Sequence, residues 1–303
     1  METRAESQNV GLFDERYLAF IKTAADIRAS LHRYCSRMTG SVMDGEDLVQ
    51  DTLFQAYRKI SMFDASRPLK PWLFRIAHNL CIDFLRRRGV REVAETAAQR
   101  PDSVPAREPA GKELNVAIEH LVTTLPPKER ACVLLKDVFD YSLEEIAEMV
   151  DSTVGGVKAA LKRGRTKLAA SPQAPSPQNS DPEREEILRL YVDRFNRHDW
   201  DGVRELISAD ARLLFANGFA GKLADSPYFV KYEAVDLPWR MILGYVEGEP
   251  VIIRLRPVDS VWTPESVIRI EVENNQVVRI VDYLWCPWLL PSASSVVIEP
   301  NKK

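Results

Sequence analysis

Apolar positions recur at helical spacing through the first half of the chain and alternate in its last third. In GEDLVQDTLFQAYRKI, residues Leu48, Val49, Leu53, Ala56, Tyr57 and Ile60 predict a helix with one apolar face. In PWLFRIAHNLCIDFLRRR, the residues Leu73, Ile76, Leu80 and Phe84 predict a second buried stripe, with Pro71 in the favoured first turn. On that helix Arg75, Asn79, Asp83 and Arg86 make a polar stripe. Further on, Ser142 and Glu145 have capping-box spacing ahead of an apolar run. Asp151 and Ser152 make a turn, and Thr153 caps a helix whose Val154, Val157, Leu161 and Leu168 face inward, a helix-turn-helix pattern. After residue 182 the stretch EREEILRLYVDRFNRHDWDGVREL predicts two amphipathic helices. The period then changes: RMILGYV, VIIRLRP, SVIRIEV and VVRIVDYL are β-branched runs separated by EGE and ENNQ turn signals. That order predicts helices packed on a curved antiparallel sheet.

Two stretches resist this pattern. Residues 89–111 are rich in Ala, Pro and charge, and residues 171–182 in Pro, Ser, Gln and Asn. Neither has the apolar content to fold alone, so both read as linkers. The expected organisation is an all-α domain at 12–88, a second all-α domain at 112–170, an α+β domain at 183–290, and a tail at 291–303.

Composition narrows the class. The 303 residues are 45% hydrophobic and 28% charged, the balance of a soluble globular protein. No apolar run approaches the ~20 residues that span a bilayer, and METRAESQNVGLFDER has no apolar signal-peptide core. The expected location is the cytoplasm, with no membrane partner. Cys35, Cys81, Cys132 and Cys286 show no CxxC pairing, so no disulfide framework is expected. His32 with Cys35, and His78 with Cys81, have the spacing of zinc ligands on one helix face. Such pairs arise often by chance, and the reading taken is two buried thiols, two unrelated histidines and no metal. Charge is uneven. Residues 1–100 carry 16 Lys and Arg against 13 Asp and Glu, whereas residues 181–303 carry 15 against 20. Residues 152–170 hold Lys158, Lys162, Arg163, Arg165 and Lys167 with no acid, a footprint suited to phosphate contact.

The helix at 71–88 carries more than an amphipathic pattern. A loop with Phe63, Arg67 and Lys70 precedes it, Asn79 lies on its polar face, and Arg86, Arg87 and Arg88 close it. An aromatic and an amide can hold an unstacked base while arginines take phosphates, so the segment suits single-stranded DNA. Here EDLVQDTLFQAY followed by PWLFRIAHNLCIDFLRRR resembles the σ2 domain of extracytoplasmic-function sigma factors. The resemblance implies that Asp47, Gln50 and Asp51 dock on core RNA polymerase. It also implies that Phe63, Arg67, Lys70, Arg75, Asn79, Asp83, Arg86 and Arg87 meet the single-stranded −10 element. LPPKER, YSLEEIAEM and VGGVKAALKRGRTKL resemble the σ4 domain of the same family, which reads the −35 duplex; by position Thr153, Lys158, Lys162, Arg163 and Arg165 carry that contact. Asp151 stands where a Gly is usual, and Ala159 and Ala160 where the family often has Ser and Arg.

YVDRFNRHDWDGVREL resembles the opening of SnoaL-like domains, a cone-shaped α+β fold that in some sigma factors acts in cis. The resemblance implies a pocket for a small ligand of unspecified chemistry. Asp193, Asp210, Asp282 and Tyr283 are the candidates for acid–base work there, and His198 reads as a capping or surface residue. No catalysis and no cofactor are expected. The segment Trp285, Trp288, Leu289 and Leu290 is an exposed apolar surface unless it packs on its own sheet. The expected protein is a promoter-specificity factor, monomeric when free. Its rivals are a helix-turn-helix regulator acting without polymerase and a DNA-binding module fused to a pocket enzyme.

Overall fold

Helix α1 (Thr3–Thr39) ends where Gly40 takes a left-handed backbone, φ +82°. Ser41 then caps α2 (Val42–Lys59), accepting from the Asp44 amide at 3.2 Å. A 3-10 turn at Ile60–Met62 and a loop lead to α3 (Leu69–Thr96). The computed structural model describes residues 3–64, 66–96, 120–170, 182–216, 220–234 and 238–299. Helix α3 therefore continues past residue 89. The rest of the first expected linker, and residues 171–181 of the second, lie outside the described residues.

After α4 (residues 120–124), Pro126 and Pro127 open α5 (Pro127–Val133), which loosens into a π-helical turn at Leu134–Val138. The capping box forms as expected at α6 (Leu143–Met149). The Ser142 amide donates to Glu145 Oε2 at 2.8 Å, and the Glu145 amide donates to Ser142 Oγ at 3.2 Å. Asp151 sits in the turn at φ +50°, a conformation Asp tolerates better than most side chains, which is how it replaces a Gly there. Thr153 Oγ1 accepts from the Gly156 amide at 3.0 Å at the start of α7 (Val154–Ala170).

The chain divides into two compact units, and α1–α7 make the first. Its helices share one apolar core that joins Tyr34, Phe74, Ala77 and Cys81 to Leu134, Leu135, Ile146 and Leu161. This corrects two expected faces. On α3, Leu73 is buried but Ile76, Leu80 and Phe84 are only half-buried, while Phe74, Ala77 and Cys81 are sealed, because α3 is covered by α1 and α2 on one side and by α6 on another. On α2, Tyr57 is 44% exposed rather than inward. The candidate zinc ligands are engaged elsewhere. His32 Nε2 meets the Val42 carbonyl at 3.0 Å, and Tyr34 Oη lies 2.9 Å from His78 Nδ1. Burial, with Lys128 nearby, pushes His78 down to about 4. The Cys35 thiol is hydrogen-bonded to Cys81 and held well above the usual thiol range by that contact and by burial.

The second unit begins with α8 (Pro182–Asn196) and α9 (Trp200–Glu205). Its strands are β1 (Ile207–Phe215), β2 (Ala220–Lys222), β3 (Arg240–Val246), β4 (Glu249–Val258), β5 (Val261–Glu273), β6 (Gln276–Asp282) and β7 (Val296–Ile298). The short helices α10 (Tyr228–Glu233) and α11 (Leu289–Ser292) complete it. The sheet order is β2-β1-β6-β5-β4-β3-β7. Every pair is antiparallel except β1 with β6, which are far enough apart in sequence for a long connection rather than a hairpin. Three tight hairpins carry paired left-handed residues: Glu247 and Gly248, Asp259 and Ser260, Asn274 and Asn275. The four predicted β-branched runs are β3 to β6.

Strand β7 pairs with β3, so the sheet reaches past residue 290 into the expected tail. The apolar segment before it is divided: Leu289 is buried, Trp288 and Leu290 are half-buried, and Trp285 stays 61% exposed. No helix among the described residues is long and apolar enough to cross a membrane.

Candidate polymerase and nucleic-acid interface

On α2, Asp51 is exposed and Asp47 and Gln50 are half-buried, one turn apart on the face away from the core. The Gln50 amide donates to Glu46 Oε1 at 2.8 Å, and the same buried carboxylate pairs with Arg28 from α1. Gln50 is thereby fixed in direction. Phe54 follows on the same face, 61% exposed, with the Arg58 guanidinium 5.8 Å from its ring centre. Sequence reasoning passed over Phe54, although its spacing of three from Asp51 and four from Gln50 places it on their stripe.

In the loop before α3, the Phe63 ring lies 4.7 Å from that of Trp72, inclined at 37°. Trp72 is half-buried and supports Phe63, a role the apolar pattern of PWLF did not reveal. Arg75, Asn79 and Asp83 form the exposed stripe of α3, as expected. Arg86 pairs with Asp83 at 3.2 Å, and Arg87 Nε donates to the Asp83 carbonyl at 3.3 Å. The cations nearer the loop are engaged by the helix-turn-helix. Arg67 pairs with Glu148, Arg75 Nη2 donates to Asp151 Oδ1 at 2.9 Å, and Lys70 Nζ lies 4.9 Å from the Tyr141 ring centre.

On α7, Lys158 and Lys162 are exposed. With Lys136, Leu143, Leu161 and Arg165 they line a groove of about 610 Å³. Arg165 forks onto Asp137, with Nε–Oδ2 at 3.1 Å and Nη2–Oδ1 at 2.5 Å. Arg163 turns away, donating to Glu129 Oε1 at 2.8 Å while Lys167 donates to Oε2 at 2.8 Å. These contacts, Lys167 first, hold the Glu129 carboxyl below its ordinary range. Of Ala159 and Ala160, Ala160 is sealed in the core, so of that pair only Ala159 faces outward.

In the second unit, Asp282 is an acid–base candidate whose partners form a buried polar cluster among the described residues. Asp193 is exposed against Arg197 at 2.9 Å, and Asp210 is exposed against Lys222 at 2.9 Å. Asp282 is buried, and its Oδ2 accepts from Tyr228 Oη and Tyr232 Oη, each at 3.1 Å. Its Oδ1 accepts from the Leu284 amide at 2.9 Å. Tyr283 is buried beside it in sequence, with its amide bonded to the Val267 carbonyl at 3.0 Å. His198 is an exposed turn residue at φ +57°, lying between the rings of Trp200 and Trp239.

Burial raises the Asp282 carboxyl above its ordinary range, against the lowering effect of the tyrosines and Arg254. The folded state therefore holds this proton more firmly than the unfolded chain. That contribution to stability is present below the unfolded value near ~3.9 and is lost as pH rises toward the folded value. Relative to Asp282→Asn, wild type should lose stability as pH rises above ~4. Urea unfolding followed by tryptophan fluorescence measures this, because Trp200, Trp239, Trp262, Trp285 and Trp288 all lie in the second unit. A difference that does not change with pH would refute the assignment.

Two family models match the first unit: Sigma-70 region 2 over residues 25–91 and Sigma-70, region 4 over residues 115–168. The ECF RNA polymerase sigma factor SigG of Mycobacterium tuberculosis is 30% identical over 230 residues, covering 65% of this chain and 61% of SigG. The chain thus spans about three-fifths of the length of that relative. SigW of Bacillus subtilis, an ECF RNA polymerase sigma factor, is 33% identical over 162 residues, covering 50% of this chain and 87% of SigW. Among solved structures, the extracytoplasmic function sigma factor SigJ of Mycobacterium tuberculosis is 18% identical, with a TM-score of 0.34 over 89% of this chain and 98% of that one. At 33% identity over most of SigW, with regions 2 and 4 matched in order on the two helical blocks, this chain belongs to the extracytoplasmic-function RNA polymerase sigma factors.

Proposed function

We propose that this chain directs core RNA polymerase to promoters in the cytoplasm, docking through its region 2 and region 4 blocks, with α2 as the region 2 contact, melting the −10 element with α3 and reading the −35 duplex with α7. The observation that carries this reading is the outward α2 face of Asp47, Gln50, Asp51 and Phe54, together with the Phe63–Trp72 pair in the loop that leads to α3. A helix-turn-helix regulator of duplex DNA has no use for either feature. Lys158 and Lys162 supply the phosphate contacts of the −35 surface, while Arg163, tied to Glu129, acts as a brace.

The second unit acts in cis on transcription and is not an enzyme. Asp282 supports this, since both its oxygens already accept hydrogen bonds and it is sealed from solvent, a poor arrangement for a general base. The free chain is a monomer.

Transcription in vitro with core polymerase tests the reading. The full chain with core should produce promoter-dependent transcripts, and neither component should do so alone. Gln50→Ala with Asp51→Ala should weaken core binding about tenfold, the loss of one interface hot spot, and leave the fold intact. Unchanged affinity for core would remove the α2 face from the interface. Deleting residues 171–303 should alter the transcript yield; an unaltered yield would deny the second unit a role in cis.

A further inference from the structure

Within the first unit, the face of α3 assigned to the −10 strand meets the first helix and turn of the helix-turn-helix. Three cations of that face are engaged. Arg67 pairs with Glu148, Arg75 with Asp151 at 2.9 Å, and Lys70 stands over Tyr141 at 4.9 Å. Beneath them the aromatic rings interlock across the same boundary: Phe74 lies 5.6 Å from Tyr141 and 6.2 Å from Phe139, and Tyr34 lies 6.4 Å from Phe139. A carboxylate offers an arginine the same fork of oxygens as a phosphate.

This arrangement cannot coexist with contact to both promoter elements. Elements about 25 base pairs apart lie on the order of 85 Å apart along B-DNA at ~3.4 Å per step, whereas α3 and α6 touch. We propose that Glu148 and Asp151 act as internal stand-ins for promoter phosphates, holding the free chain closed with its −10 arginines masked until polymerase draws the two helical blocks apart. The inference rests on the reading of Arg67 and Arg75 as DNA contacts. It adds that the same side chains keep the free factor off DNA.

The two acids can be neutralised without disturbing the backbone. Glu148→Gln preserves a good helix former, and Asp151→Asn suits the left-handed turn. Both ion pairs are partly exposed, with side-chain accessibilities of 58% and 37% for Arg67 and Glu148, and 44% and 69% for Arg75 and Asp151. Salt therefore weakens them, and the clasp is releasable.

The test is fluorescence anisotropy of a fluorescein-labelled, 15-nucleotide single-stranded DNA of randomised sequence, titrated with the full chain in low salt. E148Q/D151N should bind about three- to tenfold more tightly than wild type, the worth of one or two partly exposed ion pairs. Asp26→Asn with Glu144→Gln, both exposed, makes the same charge change outside the clasp and should shift affinity less than about twofold. Adding Arg67→Ala and Arg75→Ala to E148Q/D151N should erase its gain, while in wild type the same pair of changes should have little effect on arginines already masked. Equal affinity of wild type and E148Q/D151N, with R67A/R75A weakening wild type several-fold, would overturn the clasp and leave the arginines as DNA contacts. If R67A/R75A changes binding in neither background, the DNA-contact reading fails, and the masking proposal with it. A gain in E148Q/D151N no larger than in the Asp26 and Glu144 control also overturns the clasp, leaving a general charge effect.

Discussion

Arg130→Met should destabilise the helix-turn-helix half of the first unit by about 3–5 kcal/mol, the cost of removing a buried charged donor from several acceptors at once. The Arg130 guanidinium is buried. Its Nη1 donates to the Met38 carbonyl at the end of α1, and its Nη2 to the carbonyls of Val122 and Leu125, the latter at 3.0 Å. Those carbonyls belong to the ends of α1 and α4, where a helix has no acceptor partners of its own. Burial, with Arg88 adding repulsion, lowers Arg130 to about 10, so it remains charged at neutral pH. Methionine fills similar volume and leaves three acceptors without a donor. Arg130→Lys should cost roughly half as much, since one ammonium cannot reach all three. Hydrogen exchange of α5–α7 peptides across a urea titration gives the measurement. An unshifted midpoint in Arg130→Met would mean that water replaces the guanidinium at no cost.

Arg130 also shows what could not be read from sequence. Pro126 and Pro127 open α5 for a local reason, the fixed proline backbone at a first helical turn. The capping box of Ser142 and Glu145 and the Thr153 cap were legible because their causes also lie within a few residues. Arg130 reads as one more surface cation until the fold brings Met38 against it from 92 residues away. The ion pairs of Arg67 and Arg75 span 81 and 76 residues, and no periodicity encodes them. The packing of α6 on α3 moved the expected stripe from Ile76, Leu80 and Phe84 to Phe74, Ala77 and Cys81, since a helix covered from two sides has no single apolar face.

The second unit divides in the same way. Glu247–Gly248 and Asn274–Asn275 were visible as turns because Gly and Asn favour left-handed backbone. Asp259–Ser260 adopts the same geometry with a weaker signal and was missed. Strand β7 was taken for tail because three residues carry too little pattern. Asp282 was one of four candidates in sequence, and nothing there set it apart, because its partners Tyr228 and Tyr232 lie 54 and 50 residues earlier on a helix of six residues. The outward position of Asp47, Gln50 and Asp51 on α2 was legible from periodicity, and Phe54 shares their stripe without having been picked out. The −10 candidates were legible as residue types, but their present partners were not.

The other large effect falls on promoter opening. Phe63→Ala should reduce open-complex formation on duplex promoters by about ten- to hundredfold, the ~1–3 kcal/mol of one base–aromatic contact. Phe63 is held 4.7 Å from Trp72 at an inclination of 37°, so Trp72 fixes the ring's position, and Phe63 is left only half-buried. Trp72→Ala should therefore reproduce much of the Phe63→Ala defect without touching DNA, whereas Trp72→Phe keeps an aromatic support and should be mild. Asn79→Ala should act separately, because Asn79 lies on the exposed stripe of α3 and offers an amide to a base edge. Permanganate reactivity of −10 thymines in the holoenzyme complex measures opening, and templates mismatched across the −10 element divide its causes. If Phe63 captures the unstacked base, its loss persists on mismatched templates, because the base must still be held. If it acts only by wedging the duplex apart, the defect disappears there. Wild-type opening by both Phe63→Ala and Trp72→Ala would remove this aromatic pair from the promoter site altogether.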